Sequence, residues 1–215
     1  MNDDNFPFRI SEIFASYQGE GVNTGMPAVF IRMSGCNLNC SWCDTAEKNG
    51  RPYTAMSLKE VEDKVLKVTA LRGWQSNGLL VVITGGEPLL QSVDMIATRL
   101  RRWGFRIAIE TNGTLPATSM TFSHIAMSPK SLDDLHGGVE RMNIQMADEI
   151  KIVIGGTYEP AAMINFIIAQ RFKGPIWLQL LDESVEYLHM AENLIHIAPG
   201  QLRIGHQMHK IRRWE

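Results

Sequence analysis

The sequence predicts an α/β fold built as a partial, open barrel of about six strand–helix units. Three observations carry this. Apolar runs with the look of buried strands alternate with segments of helical period, and right-handed crossovers between them make a mainly parallel sheet. The chain has 215 residues, whereas a closed eight-unit barrel typically takes about 250. Polar residues recur just after the apolar runs, at the strand ends where parallel barrels and sheets bind ligands. Doubly wound packing is the alternative architecture.

Residues 10–34 hold two apolar segments separated by Gln18-Gly-Glu-Gly21 and Asn23-Thr-Gly-Met-Pro27, a glycine-rich stretch that is either a hairpin turn or a loop bringing backbone close to a ligand. The run Ala28–Ser34 reads as a buried strand. Ser57-Leu-Lys-Glu60 is a capping box, and Leu58, Val61, Val65, Leu66 and Val68 follow at helical spacing, with Gly73 near the helix end. Leu79–Ile83 is continuously apolar, as a strand covered on both faces would be. A helix spans roughly Leu89 to Trp103, then strands Phe105–Ile109 and Phe122–Met127. Residues 131–148 have no clean period and read as loop with a short helix. Glu149–Ile154 is a strand, Glu159–Gln170 a helix with Pro160 in its first turn, and Ile176–Leu181 a strand. A helix over about residues 184–197, the short run Leu202–Ile204 and a polar, basic tail complete the chain. No internal repeat or low-complexity linker divides it, so residues 1–215 read as a single domain.

Apolar content of 45% and charged content of 20% are those of a soluble globular protein, and the net charge of -2 argues against a general nucleic-acid or membrane-surface role. No apolar run approaches the roughly 18 residues that span a bilayer. The N-terminus, Met-Asn-Asp-Asp-Asn-Phe-Pro, is acidic and polar and lacks the basic-then-apolar pattern of a secretory signal. Three clustered cysteines make no disulfide framework. They suit a reducing, cytoplasmic setting and a metal site.

All three cysteines lie in Cys36-Asn-Leu-Asn-Cys40-Ser-Trp-Cys43, directly after a predicted strand. Three thiolates from one loop can hold three irons of a four-iron cluster and leave the fourth open for chemistry. The spacing also suits zinc, although a fourth cysteine is missing and no histidine lies nearby. The later strand ends carry Thr84-Gly-Gly-Glu87, Glu110-Thr-Asn112, Ser128-Pro-Lys130, and Gln179 with Asp182. Each alone could be a turn or a cap; their recurrence on one rim favours a shared ligand site. Lys151, within an apolar strand, faces either the barrel interior or solvent. Trp177 and the methionines read as core filling. His206 and His209, near Lys210, Arg212 and Arg213, read equally as solvated tail or site contact.

The cysteine spacing, with an aromatic residue before Cys43, together with Gly85-Gly-Glu-Pro88, resembles the radical S-adenosylmethionine superfamily. Tyr17-Gln-Gly-Glu-Gly21, Arg32, Cys43-Asp-Thr45, Thr84–Pro88, Glu110–Thr114, Ser128–Lys130 and His209-Lys210 narrow the resemblance to the 7-carboxy-7-deazaguanine synthase family. It implies a partial (β/α)6 TIM-like barrel of the radical S-adenosylmethionine type and a homodimer. It implies radical ring contraction of 6-carboxy-5,6,7,8-tetrahydropterin to 7-carboxy-7-deazaguanine with release of ammonia, in queuosine or deazaguanine biosynthesis. The implied cofactors are a [4Fe-4S] cluster, S-adenosylmethionine and Mg2+, with an external electron donor of the flavodoxin kind and no direct nucleic-acid or membrane partner. Carried over residue by residue, Cys36, Cys40 and Cys43 ligate the cluster and Thr45 the magnesium. Trp42, Asp44, Gly86, Glu87, Ser128, Pro129, Lys130, Gln179, Leu180, Leu181 and Asp182 approach S-adenosylmethionine. Tyr17, Gln18, Gly19, Glu20, Arg32, Thr84, His209 and Glu215 approach the pterin. Tyr17 stands where the family often has an aliphatic residue, and Ala46-Glu47 lacks the aromatic that often follows the Cys-Asp-Thr element. A glycyl-radical enzyme activase and a non-catalytic iron–sulfur protein are the alternatives.

Overall fold

A computed structural model describes residues 7–43, 52–117, 121–132 and 141–212. Its centre is a nine-stranded open sheet: β1 (Phe8–Tyr17), β2 (Pro27–Met33), β3 (Thr54–Met56), β4 (Leu80–Gly85), β5 (Arg106–Thr111), β6 (His124–Met127), β7 (Glu149–Ile154), β8 (Ile176–Leu180) and β9 (Leu202–Gly205). The spatial order is β3-β1-β2-β4-β5-β6-β7-β8-β9. From β2 through β9 the neighbours in this order are parallel, while β1 is antiparallel to both β2 and β3. The glycine-rich stretch after Tyr17 is therefore the connection of a hairpin, with Tyr17 opposite Pro27.

Helices α1 (Leu58–Leu71), α2 (Val93–Arg101), α3 (Arg141–Met146), α4 (Pro160–Ala169) and α5 (Val185–Leu194) fill the crossovers, and α6 (Met208–Arg212) follows β9. The capping box at Ser57 and Glu60 forms as the sequence requires. Proline at the start of α4 supplies a φ suited to a helix and no N–H to leave unpaired.

The alternation of side chains along each strand decides the architecture. Val29, Ile31, Met33, Val81, Ile83, Ile107, Ile109 and Ile125 pack with α1 and α2 in one core. Ile150, Ile152, Ile154, Ile176, Leu178 and Leu180 continue it with α4 and α5. The alternate residues Ala28, Leu80, Val82 and Ala108, with Phe30 against them, form a separate small cluster on the other face. One face of the sheet thus carries the helices, and the other curls around its own contents. This is the partial barrel, not the doubly wound alternative, which would place helices on both faces. No helix among the described residues is long and apolar enough to cross a membrane.

Candidate active site

The inward-facing residues become polar toward the C-terminal ends of the parallel strands. Arg32 on β2 sits in register beside Thr84 on β4, Glu110 on β5 beside Ala126, Lys151 on β7 beside Trp177, and Gln179 on β8 beside Gly205. Arg32, Thr84, Glu110, Lys151 and Gln179 line one cavity of about 510 Å³, which also receives Cys36, Cys40, Trp42, Cys43, Gly86, Ser128 and Lys130. That size suits a small-molecule site.

One side of the cavity is the thiol side. The cysteine loop leaves β2 and is stitched to the end of β4 through the backbone: Gly86 N–H donates to Met33 O (3.1 Å) and Glu87 N–H to Gly35 O (2.8 Å). Two glycines are required there. A Cβ on Gly85 would stand 2.2 Å from Met33 O, and one on Gly86 2.0 Å from Gly35 O. Glu87 is buried beneath this junction. It accepts hydrogen bonds from Thr111 Oγ1 (2.8 Å), Asn112 N–H (2.7 Å) and Leu89 N–H (3.0 Å), which fix the β4 and β5 ends to each other. Burial raises its pKa against those donors. The three cysteines form no disulfide and are half-buried. Burial pushes the Cys36 thiol up, with Leu38 N–H pulling against it and Glu87 and the other two cysteines adding to the rise. A bound cation would reverse that balance in favour of thiolate. Among the described residues no three acids, histidines or cysteines converge tightly enough for a single metal ion. Three cysteines, each taking its own iron, are the donor set that a multi-iron cluster uses.

Beside the thiols, Trp42 packs against Gly156, where a Cβ would meet the indole at 2.6 Å. Lys130 Nζ lies 5.1 Å from the Trp42 ring centre and donates to Ser128 Oγ at 2.6 Å. Burial lowers the Lys130 pKa, opposed by the neighbouring cysteines and Glu20. Gln179 is the clearest sign of a missing partner. Its carboxamide is buried against the cavity with neither Nε2 nor Oε1 hydrogen-bonded. Leaving such a group unpaired costs about 1–3 kcal/mol, a penalty that a polar ligand would remove.

The opposite side is rich in carboxylates. Because β1 runs antiparallel, the connection after Tyr17 starts at the other end of the barrel from the cysteine loop, and it reaches across the open side to β7 and beyond β9. Val22 N–H donates to Glu149 Oε2 (2.8 Å), and Met208 N–H to Gly19 O (3.1 Å). Gln18 Nε2 and Thr84 Oγ1 donate to the two oxygens of Glu110 (3.2 and 2.9 Å). Lys151 Nζ lies 2.9 Å from Glu110 Oε1 and 3.1 Å from Glu20 Oε2. Gln207 Nε2 donates to Glu20 Oε1 at 3.0 Å. Burial alone would raise the Glu110 pKa; the Lys151 charge and the donors from Lys151, Thr84 and Gln18 outweigh it and hold it down at about 2. Arg32 pairs with Glu12 at 2.5 Å and lies over the Phe14 ring, which itself stacks on Phe30.

The family model of the radical SAM superfamily matches residues 30–165. The 7-carboxy-7-deazaguanine synthase of Neisseria meningitidis is 41% identical over 154 residues, 71% of this chain and 66% of that protein. The synthase of Methanospirillum hungatei is 33% identical over 214 residues, covering 94% and 84%. The chain belongs to the 7-carboxy-7-deazaguanine synthase family. The crystal structure of QueE from Escherichia coli superposes with a TM-score of 0.75 at 27% identity, covering 96% of each chain. In the Neisseria meningitidis and Haemophilus influenzae relatives, the match spans only 66% and 64% of their length.

Within this family's pattern, the structure brings together Tyr17, Gln18, Gly19, Glu20, Arg32, Thr84, the three cysteines, Trp42, Gly86, Ser128, Lys130 and Gln179 around the one cavity. Glu87 and Pro129 stand behind the lining: Glu87 holds the strand ends, and Pro129 O accepts from Thr157 Oγ1. Leu180 is part of the helix-side core. Leu181 begins a 3-10 turn in which Asp182, at φ 52°, points to solvent and pairs with Lys210 at 3.2 Å. None of these five is among the cavity-lining residues. Asp44, Thr45 and Glu215 lie outside the described residues, as does the side chain of His209. The cavity adds Glu110, Lys151, Gln207 and Lys210. Glu110 and Lys210 belong to motif elements noted in the sequence without an assigned contact, and inward register on β7 was the available signal for Lys151. The tail gave none for Gln207, which is placed by Glu20, and His206 is instead paired with Glu183 at 2.6 Å.

Proposed function

We propose that the chain carries out the radical ring contraction of 6-carboxy-5,6,7,8-tetrahydropterin to 7-carboxy-7-deazaguanine with loss of ammonia. The observation that carries this reading is the pairing, across one cavity, of three cysteine side chains with a buried carboxylate and carboxamide set. Cys36, Cys40 and Cys43 would hold a [4Fe-4S] cluster, with Trp42, Gly86, Ser128, Lys130 and the unpaired Gln179 around S-adenosylmethionine. When bound, that pair supplies reductive sulfonium cleavage and the abstraction of a hydrogen atom from the substrate.

The chain's own residues orient and enclose the substrate. The carboxyl groups of Glu20 and Glu110 offer acceptor oxygens, matched to the amino and ring N–H donors of a pterin. Gln18 and Thr84 fix the Glu110 carboxylate through its two oxygens. Arg32, on the same wall as the cysteine loop, offers a guanidinium fork to the substrate carboxylate in exchange for Glu12. Phe14 and Phe30 line the cavity as apolar surface for the ring. The same proposal includes Thr45 as a magnesium ligand, a flavodoxin-like electron donor, a homodimer, and a cytoplasmic place in queuosine or related deazaguanine synthesis.

The test is anaerobic turnover by reduced, iron-reconstituted protein supplied with S-adenosylmethionine and the carboxytetrahydropterin. The expected result is 7-carboxy-7-deazaguanine and ammonia without net consumption of S-adenosylmethionine. Abstraction from a peptide glycine with no pterin turnover would overturn the reading.

A further inference from the structure

Lys151 has no place among the cofactor and substrate contacts just proposed, yet it sits at the centre of the carboxylate side. Strand β7 sends Ile150, Ile152 and Ile154 to the helix-side core and Glu149, Lys151 and Val153 inward. The Lys151 side chain is only 5% exposed. It ties Glu110 on β5 to Glu20 in the β1–β2 connection, two acids that share no strand or loop. Glu20 bridges onward to Gln207 after β9, so one ammonium fixes the spacing of residues drawn from most of the chain.

We infer that Lys151 is the positioning and specificity residue of the substrate pocket, setting Glu20 and Glu110 as paired acceptors that select a fused 2-amino-4-oxopyrimidine over its 2,4-dioxo counterpart. The inference rests on the pterin reading of the site and deepens it. A carboxylate offers about four lone-pair sites, so Glu20, with Lys151 and Gln207 bound, keeps acceptor capacity for the cavity. The aminopyrimidinone edge presents adjacent N–H donors. Replacing its amino group by a carbonyl puts acceptor against acceptor, the mismatch that buried polar sites reject most strongly. The selection requires Glu110 to stay ionised, because a protonated carboxyl becomes a donor. Without a cation, burial beside a second acid drives proton uptake. The charged group facing Glu110 is Lys151 from β7; Glu20 from the β1–β2 connection and Glu149 from the same strand face Lys151, and Glu20 also faces Lys130. Lys151 is the cation in direct contact with both acids.

The test is calorimetric binding to reconstituted protein, which needs no turnover. The probes are 6-carboxytetrahydropterin and 6-carboxytetrahydrolumazine, between pH 6 and 8.5, on the native protein, Lys151→Met and Lys151→Arg. Cluster absorbance and uncoupled S-adenosylmethionine cleavage report folding. Native protein should bind the pterin at least about 100-fold more tightly than the lumazine, with little pH dependence. Lys151→Met should lose at least tenfold of that discrimination and bind pterin more tightly as pH rises, because Glu110 now ionises only at higher pH. Lys151→Arg should restore the flat profile. A folded Lys151→Met with native discrimination and a flat profile overturns the assignment. If Lys151→Met does not fold, the native profile and Lys151→Arg decide: native pterin binding that falls away toward pH 6, or no discrimination in either protein, overturns it. Discrimination without pterin turnover would leave the role of Lys151 standing and sink the proposed reaction instead.

Discussion

Gly86→Ala tests how the cysteine loop is held. The added Cβ would lie 2.0 Å from Gly35 O and 2.5 Å from Gly35 C, both backbone atoms that no rotamer change can move. The Gly35 carbonyl must retreat by about 1 Å to reach the closest separation real Cβ atoms adopt. That stretches the 2.8 Å bond from Glu87 N–H beyond hydrogen-bonding range. Losing it costs about 1 kcal/mol, and the forced backbone shift about 1–3 more. For a chain of this length the sum lowers Tm by roughly 5–15 °C. Cys36 is the next residue, so the same shift displaces the first thiol of the loop. The assay is calorimetric Tm together with iron and sulfide content after anaerobic reconstitution. Gly200→Ala, where a Cβ meets nothing within 4 Å, serves as the control. Native Tm and native iron content in Gly86→Ala would refute the argument that this backbone contact seats the loop.

Arg32→Ala should raise KM for the pterin by roughly 10–100-fold, the worth of a hydrogen bond to a charged group, while uncoupled S-adenosylmethionine cleavage persists; an unchanged KM removes Arg32 from the substrate site. Ser57→Ala breaks the capping box of α1 and should cost about 1 kcal/mol, a loss read in urea unfolding with the cluster content unchanged. Stability should also fall in acid. Glu110 has its pKa depressed when folded, so it stabilises the fold above the ordinary carboxylate value of about 4.3 and loses that contribution as pH falls toward about 2. Glu110→Gln should flatten the difference in urea midpoint between pH 5 and pH 3, and an unaltered difference would show that the pair with Lys151 does not titrate with unfolding.

The helix-side half of the fold is legible because apolar residues mark it twice, by strand alternation and by helical period. Glu149–Ile154 is found with its observed limits for that reason. Two features escape. Strand β3 is only three residues long and pairs with β1 across the hairpin, so nothing local marks Thr54–Met56 as extended. The expected helix from Leu89 to Trp103 is divided into a 3-10 turn at Pro88–Leu90 and the helix Val93–Arg101. In the site, the cysteine loop and its glycine partner are visible as contiguous motifs. Gln207 is not, because its partner Glu20 lies 187 residues away and its neighbours resemble a solvated tail. Lys151 is ambiguous in sequence for a related reason: a lysine in an apolar strand reads as snorkelling until two acids are brought to it.

The central claim is that a radical generated on the thiol side of the cavity takes hydrogen from a pterin held on the carboxylate side. Deuterium placed at C6 of the carboxytetrahydropterin tests it directly. During anaerobic turnover the account predicts deuterium at the 5′ carbon of recovered S-adenosylmethionine and none on carbon in 7-carboxy-7-deazaguanine, where the atom derived from C6 bears the carboxylate and no hydrogen. Turnover or cofactor cleavage with no deuterium at that carbon would contradict it.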